Sequence, residues 1–323
     1  MKYVGIVNTQ ALGDCLLGTH TAKLYKQKFP NSHITFFVRE GLVPTTGEGD
    51  VNDGISLKLL SMQDDIDAVG VIKRDGSLTT SDPRVTKLDE IIEQRAWFSD
   101  LGIAKSQHYS LLATYNDSLF TDSETAFNVG SIKQLPTDKL VITTSGPLDW
   151  NRKIKNEYVR VIILQKLKQF LVNNKVNAEI IMLGRDVEKE DLIVSLQRLN
   201  NSHIYIGPIG LPVHAAAGLG VDTIHITTVY PHSYDSPADY HSGWHRPVKS
   251  KIHCGTYACV TEKKFSTQVY AAEEGPPAAF GFWPKNCPYT ENKMSCVYNT
   301  EPEQVITLFE QWYEEKGKYL WNQ

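Results

Sequence analysis

The chain has 323 residues, of which 41% are hydrophobic and 22% charged, with 33 Lys and Arg against 37 Asp and Glu and a formal net charge of −4. That length supplies two domains of ordinary size, each with its own core, and the acidic balance lacks the basic excess usual in nucleic-acid binders. No run of about 18 apolar residues is present, so no membrane span is expected; strand-forming residues from position 3 leave no room for a signal peptide, and a cytoplasmic chain is expected.

The chain opens on an apolar strand, Tyr3-Val4-Gly5-Ile6-Val7, followed by a polar turn ending in Gly13-Asp14. A helix is expected from Cys15 to about Phe29, and after Pro30-Asn31-Ser32 a second strand, Ile34-Thr35-Phe36-Phe37-Val38. This β-α-β unit places a carboxylate at the start of a helix, at the strand end where parallel α/β sheets bind ligands. Residues 41–56, rich in Gly, Asp and Thr, read as a mobile loop. Short apolar runs follow at Ala68–Ile72 and Tyr109–Ala113, with helical spacing at Leu88–Phe98 between them. Residues 115–139 are polar and irregular, and read as an inter-domain linker.

A second series begins with the strand Leu140-Val141-Ile142-Thr143-Thr144 and the turn Ser145–Asn151. The helix expected over Asn156–Asn173 has Tyr158, Val161, Ile162, Leu164, Leu167 and Leu171 as its apolar side. Glu179–Leu183 reads as a strand, Leu192–Leu199 as a helix and Ile204-Tyr205-Ile206 as a strand. The turn Gly207–Leu211, a helix from about Pro212 to Leu219 and the strand Thr223–Thr227 complete the series. Pro302–Tyr313 reads as a final helix with Pro at its first position. Two α/β series in succession imply an α/β chain of two Rossmann-like domains facing a cleft. The expected divisions are 1–139, 140–300 and a C-terminal helix within 301–323 that can pack back on the first domain.

The five cysteines are Cys15, Cys254, Cys259, Cys287 and Cys296. An odd count without a signal sequence disfavours a disulfide framework. The last four run Cys-x4-Cys, then 27 residues, then Cys-x8-Cys, which is not a usual zinc pattern of two closely spaced pairs, so reduced thiols and no metal are expected.

Three segments can carry chemistry. Asp14 is either a helix cap or a general base, a carboxylate kept ionised by the helix N-terminus and able to take a proton from an attacking hydroxyl. In Trp150-Asn151-Arg152-Lys153-Ile154-Lys155, three cations stand at the positive end of a helix dipole. A bound phosphate flanked by Arg152 and Lys153, with the hydroxyls of Thr144 and Ser145 donating to it, resolves that conflict; a solvated basic surface is the alternative. In Gly207-Pro208-Ile209-Gly210-Leu211-Pro212-Val213-His214, small residues let a helix approach the sheet. His214 is then a contact to phosphate or sugar, or a packing residue.

Together these segments resemble the ADP-heptose:lipopolysaccharide heptosyltransferase family, whose architecture is the two-Rossmann GT-B fold. Leu12-Gly13-Asp14 with Leu16, and Phe29-Pro30-Asn31-Ser32-His33-Ile34-Thr35, are similar to the family's opening Gly-Asp motif and second strand. Thr143-Thr144-Ser145 through Arg152-Lys153-Ile154 resembles its phosphate-binding segment. Ile204-Tyr205-Ile206-Gly207 through His214-Ala215-Ala216 resembles its Gly-Asn-Asp-Ser-Gly-Pro-Met-His-Leu-Ala-Ala element without a gap. Cys287-Pro288, Cys296 and Glu303-Gln304-Val305 resemble the family's ending. The chain departs from the pattern where Ile209 stands for the family's sugar-contacting Asp, Gly210 and Leu211 for its Ser and Gly, and His20 for its usual Pro. The family's phosphate-segment Lys maps to Arg152 or Lys153.

The resemblance implies an inverting, metal-independent glycosyltransferase without a cofactor, using a nucleotide-diphospho-sugar as co-substrate. Asp14 is its expected base. Thr144, Ser145, Arg152, Lys153, Gly207, Gly210 and His214 form the expected donor site. The implied acceptor is a surface glycan such as lipopolysaccharide core; a hydroxylated DNA base is the alternative acceptor. Because Ile209 cannot accept a sugar hydroxyl's hydrogen bond, a different sugar, or a catalytically degenerate nucleotide-sugar-binding protein, stays open. A nicotinamide-dependent oxidoreductase is disfavoured, because no G-x-G-x-x-G occurs between Gly5 and Gly13.

Overall fold

Two five-stranded sheets organise the chain, one in each of two units, Met1–Gly130 and Ser131–Gln323. The computed structural model describes residues 1–8, 12–40, 53–73, 75–94, 126–147, 150, 157–184, 191–227, 236–239, 241–248 and 300–320. The expected features at residues 41–52, Tyr109–Ala113 and 115–125, the cations Arg152, Lys153 and Lys155, and Cys254, Cys259, Cys287 and Cys296 lie outside these residues.

The first unit is built on β1 (Lys2–Asn8), whose Val4 and Ile6 are fully buried. Helices α1 (Leu12–Gly18) and α2 (His20–Lys28) lead to β2 (Ser32–Arg39), which runs parallel to β1 from Lys2↔Ser32 to Asn8↔Val38. Strands enclosed on both faces read as continuous apolar runs, which is why β2 announces itself through Ile34, Phe36, Phe37 and Val38. Helix α3 (Asp53–Ser61) buries Leu59 and Leu60 and precedes β3 (Ala68–Ile72), parallel to β2. A hairpin through Asp75-Gly76 adds β4 (Leu78–Thr80), the sheet's antiparallel member. Its turn is held by Lys73 N donating to Ser77 O at 2.9 Å and by the Asp75 carboxylate, which accepts from the Ser77 N–H and hydroxyl.

Two expectations change here. The helix expected from Cys15 starts at Leu12, because Leu12 and Leu16 are both buried and the chain winds early to bury them. Asp14 therefore stands inside the first helical turn rather than before it. The segment Leu88–Phe98, expected to be helical, holds β5 (Glu90–Glu93), parallel to β1 from Val4↔Glu90 to Val7↔Glu93. An adjacent pair such as Ile91-Ile92 satisfies either period; the open edge of β1 decides for a strand, burying Ile92 and leaving Ile91 exposed. The sheet order is β4-β3-β2-β1-β5.

The second unit starts from Ser131, before the expected boundary, because its first residues are tied to it. Lys133 Nζ donates to the Leu219 and Gly220 carbonyls at 3.1 and 2.8 Å, and Gln134 N donates to Asn201 Oδ1 at 2.8 Å. Strand β6 (Leu140–Ser145) is buried throughout. Helix α4 (Glu157–Asn173) follows, then β7 (Ala178–Leu183), α5 (Leu192–Asn200), β8 (Ile204–Pro208), α6 (Leu211–Gly218), β9 (Asp222–Ile226) and β10 (His245–Val248). All neighbours are parallel, in the order β10-β9-β8-β6-β7. Strand β10, which the sequence reading missed, carries Pro247 and lies at the sheet edge, where a residue without an N–H is tolerated.

Helix α4 buries Val159, Ile163, Leu167 and Leu171, a stripe at intervals of four, whereas Tyr158, Val161 and Ile162 are exposed. The expected apolar face is therefore rotated: apolar residues surround this helix, and packing selects the stripe. The partner is α7 (Pro302–Trp312), whose Val305, Phe309 and Trp312 are fully buried. Phe170 of α4 meets the rings of Phe309 and Tyr313 edge-on, each at 5.4 Å. Asp222, at the start of β9, accepts from Trp312 Nε1 at 2.8 Å and Trp244 N at 3.1 Å, and pairs with Lys316 at 2.9 Å. The C-terminal helix is thus built into the second sheet's core. Among the described residues, no helix is long and apolar enough to cross a membrane.

Helix α4 ends with Lys175 at φ 54°, and Val176 N donates back to Leu171 O at 2.9 Å. A left-handed residue closing a helix this way is usually glycine, because a Cβ is penalised there. Lys175→Gly is expected to raise stability by about 0.5–1 kcal/mol in urea unfolding, the lower penalty outweighing the added freedom of the unfolded chain.

Between β9 and β10, the Thr223 hydroxyl lies 3.1 Å from His225 Nδ1 and 3.0 Å from His245 Nδ1, and His225 Nε2 lies 2.9 Å from Ser236 Oγ. Burial first, and then the neighbouring His241, push His245 down to about 4 from its ordinary 6.5; Lys316 and Arg246 add to the effect, and Asp222 opposes it. The fold keeps this ring neutral, so between these values the unfolded chain binds the proton first. Its contribution is complete above pH 6.5 and is lost as pH falls through about 4. The unfolding free energy from urea titrations is expected to fall over that window by an amount on the order of 3 kcal/mol, and His245→Gln is expected to flatten that part of the profile.

Candidate functional site

In each sheet the first strand is internal, with later strands on both of its sides. Strand β1 has β2 on one side and β5 on the other, and β6 has β7 on one side and β8 on the other. At such a reversal the flanking connections leave opposite faces of the sheet, and a crevice opens beyond the strands' carboxyl ends. The candidate residues collect at these two points, each within its own unit.

In the first unit, β1 ends at Asn8 and β5 at Glu93-Gln94, and α1 carries Asp14 in its first turn. Asp14 is partly exposed among buried neighbours. Its charge, after burial, is a cause of the Cys15 thiol being pushed up, which the Arg39 guanidinium opposes. Cys15 is therefore an inert buried thiol rather than a nucleophile.

Beneath Asp14 lies a polar circuit that the sequence reading did not find. Asn8 Nδ2 donates to Gln94 Oε1 at 2.8 Å and to the Asp14 carbonyl at 3.4 Å. Gln94 Nε2 donates to the Gly18 carbonyl at 2.8 Å and to Thr21 Oγ1 at 2.6 Å. Asn8, Gln94 and Thr21 are all buried. A Cβ on Gly18 would stand 2.2 Å from Gln94 Oε1 and 2.8 Å from Asn8 Nδ2, so only glycine lets the helix come this close. The signal for this circuit was a polar residue closing the apolar run of β1; its partner was hidden in a segment with helical spacing.

In the second unit, Thr144 and Ser145 end β6 and are 2% exposed. Thr144 Oγ1 accepts from Trp150 Nε1 at 3.1 Å, and Ser145 Oγ lies 2.6 Å from the Tyr205 hydroxyl. Both hydroxyls thus tie the strand end to its surroundings. Trp150 is buried, and its N–H donates to Gly146 O at 3.3 Å, which fixes the chain two residues before Arg152. Arg152 and Lys153 themselves lie outside the described residues.

Gly207 and Gly210 shape the end of β8. A Cβ on Gly207 would lie 2.3 Å from the Tyr205 hydroxyl, so the residue leaves room for the ring that bonds Ser145. Gly210, at φ 152° and ψ −162°, adopts a conformation essentially reserved for glycine and turns the chain into α6. Its carbonyl accepts from Val213 N and His214 N. His214 stands in the first turn of α6 and is 3% exposed. Ile209 is buried, and its N–H donates to Ile226 O at 3.0 Å, continuing the β8–β9 pairing. At 2% exposure it belongs to the unit's interior. Among the described residues, no three His, Cys, Asp or Glu side chains are grouped so as to hold a metal ion.

Replacing Gly207 by Ala forces Tyr205 out of its place beside Ser145. Overpacking of this kind is expected to cost about 1–3 kcal/mol, read as a lower urea midpoint with an unchanged slope.

No protein-family model matches the sequence, and no curated protein matches it. Solved structures do match. The chain superposes on the dodecameric iron-containing heptosyltransferase TibC of enterotoxigenic E. coli, solved in complex with ADP-D-β-D-heptose, with a TM-score of 0.63 at 12% identity, covering 97% of this chain and 77% of that one. It superposes on a glycosyl transferase family 9 structure from Veillonella parvula with a TM-score of 0.58 at 14% identity, covering 98% of both chains. The E. coli ADP-heptose lipopolysaccharide heptosyltransferase II gives a TM-score of 0.51 at 10% identity over 98% of this chain and 100% of that one. The two α/β units in succession are thus the GT-B fold of heptosyltransferase-like proteins.

Proposed function

We propose that the chain is an inverting glycosyltransferase that moves a sugar from a nucleotide-diphospho-sugar to an acceptor hydroxyl without a metal ion, and that its acceptor is a surface glycan such as lipopolysaccharide core. The observation that carries this reading is the place of the candidate residues: Asp14 at the strand-order reversal of the first sheet, and the Thr144-Ser145 and Gly207–His214 segments at that of the second. The fold shared with TibC, which was solved with ADP-D-β-D-heptose, agrees with a nucleotide-sugar donor.

The second unit binds the donor. The Gly207–Gly210 turn brings backbone close to the diphosphate, and the first turn of α6, with His214, lies beside it. Arg152 and Lys153 supply charge-assisted hydrogen bonds to the phosphates. As the bond from the sugar's anomeric carbon to the phosphate oxygen breaks, negative charge grows on the leaving diphosphate, and these donors stabilise it. Asp14, ionised at the start of α1, accepts the proton of the acceptor hydroxyl as its oxygen attacks from the opposite face. Attack on that face inverts the anomeric centre. Ile209 takes no part in sugar recognition, so the donor sugar is read by other groups than in relatives that place an acid there.

A thermal-shift series tests the donor, since a ligand that binds only the folded state raises the melting temperature. ADP-heptose and the UDP- and GDP-sugars present a diphosphate and a CMP-sugar does not; at least one of the first group is expected to raise the melting temperature and the CMP-sugar to leave it unchanged. With the stabilising donor, Asp14→Asn is expected to reduce turnover by about 10²–10⁴-fold with donor affinity kept. Arg152→Ala is expected to weaken donor binding, and a chelator to leave turnover intact. Normal turnover in Asp14→Asn would remove the base assignment. Binding without transfer to any acceptor would make the chain a nucleotide-sugar-binding protein.

A further inference from the structure

The geometry points to Gln94 as a positioning residue for Asp14: from the end of β5 it fixes the helical turn that carries the carboxylate. The kinetic side of this inference rests on the transferase reading; the structural side does not.

The argument starts from the two carboxamides. Asn8 uses both N–H bonds of its amide, on Gln94 Oε1 and on the Asp14 carbonyl. Gln94 uses both of its own, on the Gly18 carbonyl and on Thr21 Oγ1. These bonds link both amides to the helix in one network and give each amide its orientation. Its grip is on the carbonyls of Asp14 and Gly18, the two ends of one helical turn. Asn8 stands at the end of β1 and Gln94 beyond β5, so the turn is held from both strands that flank the first sheet's reversal point. The backbone also fixes Gln94, whose N–H donates to Val7 O at 2.9 Å and so continues the β1–β5 ladder.

The absence of a side chain at Gly18 completes the case. Its Cα passes so close that any Cβ would displace the Gln94 amide. A buried circuit of this kind is worth more for the geometry it imposes than for net stability, because unmade bonds in a dry interior are costly and alternative arrangements are excluded. A carboxylate that must meet an acceptor hydroxyl within hydrogen-bonding distance needs that accuracy, since small displacements cost large factors in rate.

Gln94→Leu and Gln94→Glu test the inference in the full chain. Leu keeps the volume and makes no bond. Glu keeps the acceptor toward Asn8, but when ionised it donates to neither Gly18 O nor Thr21. Hydrogen exchange is the first readout. In both variants the amides of residues 12–19 are expected to exchange at least tenfold faster, while those of β2 keep their native rate. Native-like exchange in residues 12–19, or equal acceleration throughout the first unit, would overturn the inference whatever the chain's activity.

Transfer from ADP-heptose is the second readout. Gln94→Leu is expected to lower kcat tenfold to a hundredfold with the donor KM unchanged, and to add no further loss in an Asp14→Asn background. Gln94→Glu is expected to recover relative to the native chain as pH falls and its carboxyl gains a proton to donate. Full kcat in Gln94→Leu, where Asp14→Asn is inactive, would sink the positioning role alone. Full kcat in Asp14→Asn would sink the base assignment, and hydrogen exchange would still decide what Gln94 holds.

Discussion

The structure depends on where each sheet begins. Both units begin with a strand that becomes internal, and both place later strands on its two sides. The backbone groups of β1 and β6 are therefore satisfied in both directions by parallel partners. The connections that return from those partners leave opposite faces, and the order reverses beside the carboxyl ends of the first strands. The described candidate residues lie at these strand ends. Asp14 follows the first strand of one sheet, and the Gly207–Gly210 turn follows the neighbour of the first strand in the other.

The second constraint is the treatment of polar groups inside those cores. Strand β6 ends in Thr143, Thr144 and Ser145, each at most 2% exposed. Hydroxyls in such places are costly unless paired. Thr143 is paired with Ser202 at 3.0 Å, Thr144 with the Trp150 indole and Ser145 with the Tyr205 hydroxyl. Asn8 and Gln94 do the same in the first unit. An apolar core tolerates sliding; these pairings do not, and so they set the position of each turn that follows. His203 belongs with them: its Nδ1 accepts from Val141 N at 3.0 Å, a role open only to the neutral ring, and burial pushes its pKa down.

Much of this was legible in the amino-acid order. Continuous apolar runs at Ile34–Val38 and Leu140–Thr144 mark strands covered on both faces, and glycines at 207 and 210 mark a close turn. What was not legible depended on distant partners. Ile91-Ile92 reads as strand or helix until the edge of β1 claims it. The buried stripe of α4 cannot be chosen among Tyr158, Val159, Val161, Ile162 and Ile163 without α7, which lies far along the chain. Short β4 and β10 offer too few residues to show a period, although Asp75-Gly76 was a turn signal. At the candidate site, Asp14 was singled out from its place after a strand, whereas Gln94 and Tyr205 were not, because their contacts are made across the sheet. The resemblance to heptosyltransferases rested on the order of short motifs, and the fold agrees with it at 10–14% identity.

The clasp at Asp222 carries a consequence for biosynthesis. Trp312 and Lys316 reach back across some ninety residues to the first residue of β9, and Phe309 and Val305 fill the space against α4. The first unit closes on residues that have all been translated by Gly130. The second cannot complete its interior until Trp312 and Lys316 have left the ribosome. The nascent chain thus acquires one finished half during synthesis and carries the other with its aromatic wall missing, a stage at which exposed apolar strands need protection from association.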